Sequence, residues 1–599
     1  MKKFTKVLFL AVALAALLAV AACTNNNDDT PTTPRQESAT PPAQTTPVEA
    51  AAPGEDADVE VDAGDPRLAA HGLDENLRFL ETVHITAALW DRGNERVPDF
   101  SQSYWAEWIQ EQILIDHNIA VEFVAIPRWE EQPFLTTLLG AGDAPDVSFT
   151  FSFPLVETFA NMGAVTDLAP LLAQYSDWMP NTYGLLTTEN VYWHENPQTG
   201  NIWALAGRHI TDGRINTFIR EDWLNTLGIA PPTTQQEFED ALIAFRDNAE
   251  LLLGADASRL VPFMMGSDVG WETGTLIESF IPDNISERDW FVYGFDDRRF
   301  MHPTTKEAIR VVNRWFNEGL IFQEFAYGEA GTLGADMIRL GHVGAFIANW
   351  DLPFRAADRY ITEMREHIGP EANFIVVTPF PNDAGHTVMY MPPPTDRQIF
   401  IPHSASNPVA ALLYIDWMSR ASVREYLAFG VEGIHRETQP DGAILSLAEG
   451  PADEAGSHRF PDNMVIPSLR NFDISLMVNG VDLGDPARSL ATLMLSYPGI
   501  APEAIMAARD AGLNNQRVFR QVSVRPIDAQ EGMSTPLNEF RDTVLHNSVV
   551  APVAEFDAVW DRMYAQYLAM GGQAIINERR QAWEETFGDV DYMPGWQGW

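Results

Sequence analysis

The sequence predicts an α/β protein in which strands and helices alternate along a parallel sheet. Three observations carry that expectation. Residues 83–89, 121–126 and 146–151 are short β-rich apolar runs. The stretches between them, 104–116 and 132–139, have helical apolar spacing. Strands alternating with helices in this way argue for βαβ units, which cover both faces of a sheet with helices. With 46% apolar residues and 17 Trp, 599 residues can build more than one core.

In such a sheet, ligands sit at the loops beyond the carboxyl ends of the strands. Here those loops begin at Trp90-Asp91 and at Phe151-Ser152. A second region follows residues 202–206, with a strand at 216–219. Pro231-Pro232-Thr233-Thr234 then leads into a helix. Thr234 stands three residues before Glu237, a capping-box pattern, and Phe238, Leu242 and Phe245 recur at helical spacing. Residues 304–317, 410–418 and 423–429 read as helices, and 344–348 as a buried strand ending in Asn349-Trp350-Asp351. From Pro440 to Trp599 the composition is globular, with 479–486 reading as a loop. There is no short internal repeat.

The chain opens with Lys2, Lys3 and Lys6 and an unbroken apolar run from Val7 to Ala22. That is the layout of a secretory signal, and it is shorter than the ~20 residues of a membrane-spanning helix. Val20-Ala21-Ala22-Cys23 resembles the lipobox of bacterial lipoproteins. The resemblance implies that residues 1–22 are removed and that Cys23, the only cysteine, becomes the lipid-bearing first residue. With Cys23 taken by lipid, the fold has no disulfide and depends on packing. From Thr24 to about Glu75 no aromatic residue occurs and Pro, Thr, Asn, Asp, Glu and Ala dominate. Such a composition buries too little apolar surface to fold, so residues 23–76 read as a lipidated acidic tether with a typical reach of about 40 Å. Asp56, Asp58, Glu60 and Asp62 alternate as in a calcium loop but lack the EF-hand's glycine and terminal glutamate.

The formal charge is −45, and loss of the three signal lysines makes it more negative. A surface of that sign repels nucleic acid and anionic headgroups, which disfavours both as partners.

At Phe218-Ile219-Arg220-Glu221-Asp222-Trp223-Leu224-Asn225-Thr226-Leu227-Gly228, followed by Pro231-Pro232-Thr233-Thr234 and Glu237-Phe238, the chain resembles the R-x-D-W-L-x-x-L-G…P-x-T-x-x-E-F signature of carbohydrate-type (family 1) extracellular solute-binding proteins. More narrowly, it resembles the lipoproteins tied to oligosaccharide ABC importers. Three further stretches are similar to segments of that family in the same order: Thr136-Thr137-Leu138-Leu139-Gly140-Ala141-Gly142-Asp143-Ala144-Pro145-Asp146-Val147, Asn201-Ile202-Trp203-Ala204-Leu205, and Ala428-Phe429-Gly430-Val431-Glu432-Gly433-Ile434-His435. Most of these residues have structural tasks on physical grounds. Gly142-Asp143 with Pro145 makes a turn, Trp223 and Leu224 pack inward, Gly228 ends their helix, and Arg220 pairs with a carboxylate near Asp222.

The resemblance implies a two-lobed periplasmic-binding-protein-like fold with an interlobe cleft, a hinge of crossing strands, and closure around a solute. The crossings are expected near 206–216, 325–334 and 390–397. That divides the chain into 77–210 (first lobe), 211–328 (second lobe), 329–392 (return to the first) and 393–599 (second lobe and C-terminal region). It implies an oligosaccharide or related solute, ABC permease subunits as partners, a monomer, and a lipid anchor on the outer face of the cell membrane.

A neutral sugar offers apolar ring faces and a rim of hydroxyls, which aromatic planes and Asp, Glu, Asn or Arg side chains complement. Trp350-Asp351 and Trp271-Glu272 combine both at expected loop positions, as does Trp90-Asp91 with Phe151 nearby, and Glu432 could brace the hinge or reach the cleft. The alternative for each tryptophan is core packing.

Enzyme motifs are lacking. There is no H-E-x-x-H and no cysteine nucleophile, and Gly266-Ser267-Asp268-Val269-Gly270 places its serine one position early for a nucleophile elbow. The 13 His show no metal-ligand spacing, so no catalytic residue, cofactor or metal is assigned. The rival readings are a lipid-anchored glycosidase, which needs only two suitably placed carboxylates, and a surface adhesion protein. Cys23→Ser is expected to abolish incorporation of labelled palmitate and to shift the protein from membranes to the soluble fraction. Unchanged labelling would refute the lipobox reading.

Overall fold

The computed structural model describes residues 56, 61–91, 104–127, 130–150, 153–185, 199–208, 215–294, 301–326, 330–356, 358–391, 395–447, 464–465, 477–478, 481–482, 485–513, 516–519, 522, 524–530 and 533–595. Cys23 and the rest of the signal lie outside them, as does Phe151.

The strands fall into two groups. The first comprises β1 (Val83–Asp91), β2 (Ile119–Pro127), β3 (Ser148–Thr150) and β4 (Leu205–Arg208). The second comprises β5 (Ile215–Arg220), β6 (Val261–Met264), β7 (Val343–Asn349) and β8 (Phe374–Val377). Shorter strands follow: β9 (Met389–Met391), β10 (Thr395–Phe400), β11 (Arg436–Thr438), β12 (Ile444–Ser446) and β13 (Met464–Val465). As expected, β1 runs parallel to β2 with the helix Tyr104–His117 between them. A parallel bridge between Ala87 and Val147 joins β1 to β3. The sequence reading missed β10, which inserts antiparallel between β3 and β4. The second sheet has the order β6-β7-β5-β8, with β5 antiparallel to both neighbours.

Two large cores result. One gathers apolar side chains from Leu68 to Leu205 together with Ile399–Val423. The other gathers Ile215–Met389 together with Tyr497–Ile576. This corrects the expected division in three places. Residues 329–392 do not return to the first lobe, because β7 lies against β5 and β6 in the second sheet. Phe325 and Ile338 share the second core, so no crossing falls between them. The chain passes from the first core to the second between β4 and β5, within the expected 206–216, and back between β9 and β10, within 390–397; it crosses again after β13, which pairs with β1. The opening of 393–599 belongs to the first core, through β10 and the helix Pro408–Ser419. The cause is physical: β7 is buried at six consecutive positions, and an apolar strand covered on both faces carries no mark of which sheet it joins.

The start of the fold also differs. Asp65 caps the helix Pro66–His71, and Leu68, Leu73 and Leu77 are buried in the first core, so folded structure precedes residue 76. Asp56 already accepts hydrogen bonds from Ser422 N (2.9 Å) and Oγ (2.6 Å). Near the other end, the stretch 479–486, expected to be a loop, is strand in part: Val481 and Asp482 lie opposite Val478 and Met477, and Pro486 starts a helix that Asp485 caps.

The conspicuous motif residues brace these elements. Asp146 accepts from Thr86 N (2.8 Å) and Oγ1 (3.0 Å) with one oxygen and from Ser406 N (3.2 Å) with the other. It thereby ties β1 to the turn before β3. Thr234 and Glu237 form the capping box of the helix Gln235–Asp247. Arg220 is 0% exposed. It pairs with Asp222 itself at 2.8 and 2.7 Å, donates to Gly341 O at 2.7 Å, and lies 4.5 Å over the Trp223 ring. Gly341, at φ +79°, is the turn into β7, so one guanidinium locks the ends of β5 and β7 together.

Arg220→Met is expected to destabilise by about 3–5 kcal/mol, since it leaves Asp222 and Gly341 O without their partner; the urea midpoint checks this. A second expectation concerns pH. Burial of His302, beside Thr304 and edge-on to Tyr293, lowers its pKa to about 4. The unfolded chain takes up that proton near pH 6.5 and the folded chain does not, so this site's contribution is present above 6.5 and declines as pH falls toward 4. His302→Gln should flatten the melting temperature profile over that interval; an unchanged slope would exclude the site.

Candidate ligand-binding site

Strand direction decides which sheet edges can meet at a cleft. In the second sheet, Ile215 at the start of β5 lies opposite Asn349 at the end of β7. Since β5 begins where the chain arrives from the first core, the carboxyl end of β7 lies on the edge toward that core. β6 is parallel to β7, with Met264 opposite Phe346, and ends on the same edge. In the first core, Thr395 at the start of β10 lies opposite Arg208 at the end of β4. Gln398 lies opposite Thr150 at the end of β3. The carboxyl ends of β3, and of β1 parallel to it, therefore share the crossing edge.

Topology thus brings the two groups of sequence-selected loops to crossing edges, but their side chains differ. Trp90 is 0% exposed and stacks on Phe149 at 4.9 Å. It fills the first core, where its large apolar area is satisfied, and is not a solvent-facing ring. Asp91 is half-buried, in register with Met464 of β13 and Pro127 of β2. At the end of β3, Thr150 is buried and its hydroxyl donates to Glu131.

On the second edge, Trp271 is half-buried against the core in the turn Val269–Glu272, which Asp268 caps by accepting from Trp271 N at 3.1 Å. Glu272 accepts from Gly266 N and so closes the loop that leaves β6. A Cβ at Gly266 would stand 3.0 Å from the Glu272 carboxylate, a close approach that a larger residue could make only if that side chain shifted. Trp350 is half-buried, and its backbone oxygen accepts from Asn216 Nδ2 at 3.4 Å. Asp351 is 7% exposed. Its oxygens hold Arg355 (2.7 and 2.8 Å) and the Tyr497 hydroxyl (2.8 Å). Glu432 is exposed and accepts from Thr438 N and Oγ1, both at 2.7 Å. Those hydrogen bonds, with Arg436 beside it, keep its carboxyl below the usual range. It braces the turn into β11.

The half-buried rings Trp350 and Trp271 therefore stand on one sheet edge, while the carboxylates beside them hold the loops in place. Sequence reading missed Asn216, Glu131 and Tyr497. Asn216 could have been noticed as an amide inside an apolar strand. Tyr497 lies in a region without motifs.

No protein-family model matches the chain, and no curated protein matches it by sequence. Solved structures do. An HMO-binding solute-binding protein associated with an ABC transporter, from Bifidobacterium longum infantis, is 15% identical with TM-score 0.58, covering 84% of this chain and 99% of its own. The alginate-binding protein AlgQ2 is 16% identical with TM-score 0.55, covering 84% and 98%. FusA, the ABC-transporter substrate-binding protein of S. pneumoniae in complex with kestose, is 14% identical with TM-score 0.55, covering 84% and 99%. The fold is accordingly the two-lobed periplasmic-binding-protein-like α/β fold.

Trp350→Ala should leave the melting temperature within about 1–2 °C, since the ring is only half-buried, whereas Trp90→Ala should cost about 3–5 kcal/mol. Equal losses would reverse the assignment of surface and core rings.

Proposed function

We propose that the chain is the solute-binding component of an ABC importer, held to the outer face of the cell membrane through lipid on Cys23. It captures an oligosaccharide between its lobes and closes over it. The closed form presents both lobes to membrane permease subunits. The carrying observation is the placement of Trp350 and Trp271 on the sheet edge where the chain crosses between cores. The likeness in fold to an HMO-binding protein and to a substrate-binding protein in complex with kestose supports it. Indole planes at that edge suit the C–H faces of sugar rings. The tether keeps the receptor near its permease as a single-chain monomer. Among the described residues no helix is long and apolar enough to cross a membrane.

A non-catalytic role is favoured over a glycosidase by the engagement of the edge carboxylates. Glu272 is tied to Gly266, and Asp351 to Arg355 and Tyr497. A glycosidase needs two carboxyls directed at one bond. Titration with a panel of neutral oligosaccharides, kestose and maltotriose included, should raise the melting temperature for at least one member. Saturation at about 100 times Kd corresponds to roughly 2.7 kcal/mol. Chromatography should recover the sugar intact. Stabilisation by none of the panel, or hydrolysis products, would overturn the proposal.

A further inference from the structure

Tyr497 sits two residues beyond the helix Pro486–Leu495 and is 6% exposed. Its hydroxyl donates to Asp351 Oδ2 at 2.8 Å, and its ring meets Trp350 nearly edge-on, 6.4 Å between centroids at 74°. Arg355 occupies the other carboxylate oxygen, so Asp351 is fixed from both sides. Asn216 Nδ2 holds the Trp350 carbonyl at 3.4 Å while donating to Ala508 O at 2.6 Å. The setting of the Trp350 indole thus depends on Tyr497, more than a hundred residues further along the chain.

The helix Pro486–Leu495, just before Tyr497, touches the second core and a smaller apolar cluster. Its Leu493 and Met494 pack against the second core, and Leu493 also packs against Phe429 and Ile444. Thr492 Oγ1 accepts from Ile444 N at 2.9 Å, and Arg488 Nε donates to Gly442 O at 2.8 Å. Ile444 and Gly442 belong to the β11–β12 hairpin, which is fastened to the first core's side by Arg436–Glu425 (2.5 Å) and by His435 against Trp105. One helix therefore links a hairpin borne by the first lobe to a ring at the edge of the second.

We propose that Tyr497 is a positioning residue that couples this hairpin, through the helix Pro486–Leu495, to the angle of the Trp350 indole. The functional value of the coupling rests on the reading that solute lies over Trp350. A change in lobe angle that shifts the hairpin pulls on Thr492 and turns the Tyr497 ring, so the indole adopts its sugar-binding setting as the lobes close.

The test uses the full mature chain labelled with 5-fluorotryptophan, without solute, followed by 19F NMR. Trp350→Phe identifies the Trp350 line among the 17. Tyr497→Phe and Thr492→Val should each move that line, Thr492→Ser should restore it, and Thr492→Val should have no further effect in the Tyr497→Phe background. A line that stays in place in Tyr497→Phe, or a Thr492→Val shift of equal size in both backgrounds, would overturn the coupling. If Tyr497→Phe fails to fold, the Thr492→Val and Thr492→Ser pair still decides it: equal line positions for the two refute the proposal. Because no sugar is present, the result is independent of solute binding, whose failure would show separately as no stabilisation by kestose or maltotriose. With a sugar that does bind, Tyr497→Phe should weaken affinity about five- to tenfold, a coupling of ordinary size.

Discussion

The antiparallel register of β5 and β7, Ile215 opposite Asn349, is the constraint on which the other features depend. It makes the edge at which the chain enters the second sheet the same edge at which β6 and β7 end. Loops after those strands are thereby directed toward the other core, and their side chains inherit that placement. Arg220 holds the opposite ends of the same pair, reaching Gly341 O just before β7. A fully buried cation is costly unless every donor is engaged, and here Asp222, Gly341 and the Trp223 face engage it.

The residues that make the chain recognisable are mostly braces. Asp146 ties the β1 edge to the turn before β3, Glu237 closes a capping box, and Glu432 secures a turn. Such braces fix backbone geometry through charge-assisted hydrogen bonds to amides and hydroxyls, a task distinct from facing a solute.

The same distinction sorts the selected carboxylates and rings. Asp351 and Glu272 follow tryptophans at the crossing edge, yet Glu272 closes its own loop and Asp351 holds Arg355 and Tyr497. Trp90 occupies the right strand end but turns inward onto Phe149. Position at a strand terminus is legible from pattern. The rotamer that decides between core and cleft is not, because the partner ring lies 59 residues away in sequence.

The sequence by itself determined the βαβ start, the capping box, the helix stops at glycine and the pairing of Arg220 with a nearby carboxylate. All of these depend on residues within a few positions of one another. Only the tertiary structure decided that β7 and β8 belong to the second sheet, that β10 divides β3 from β4, and that Tyr497 meets Trp350 edge-on. Those arrangements join segments more than a hundred residues apart, and an apolar strand buried on both faces pairs equally well, by its pattern, with either sheet.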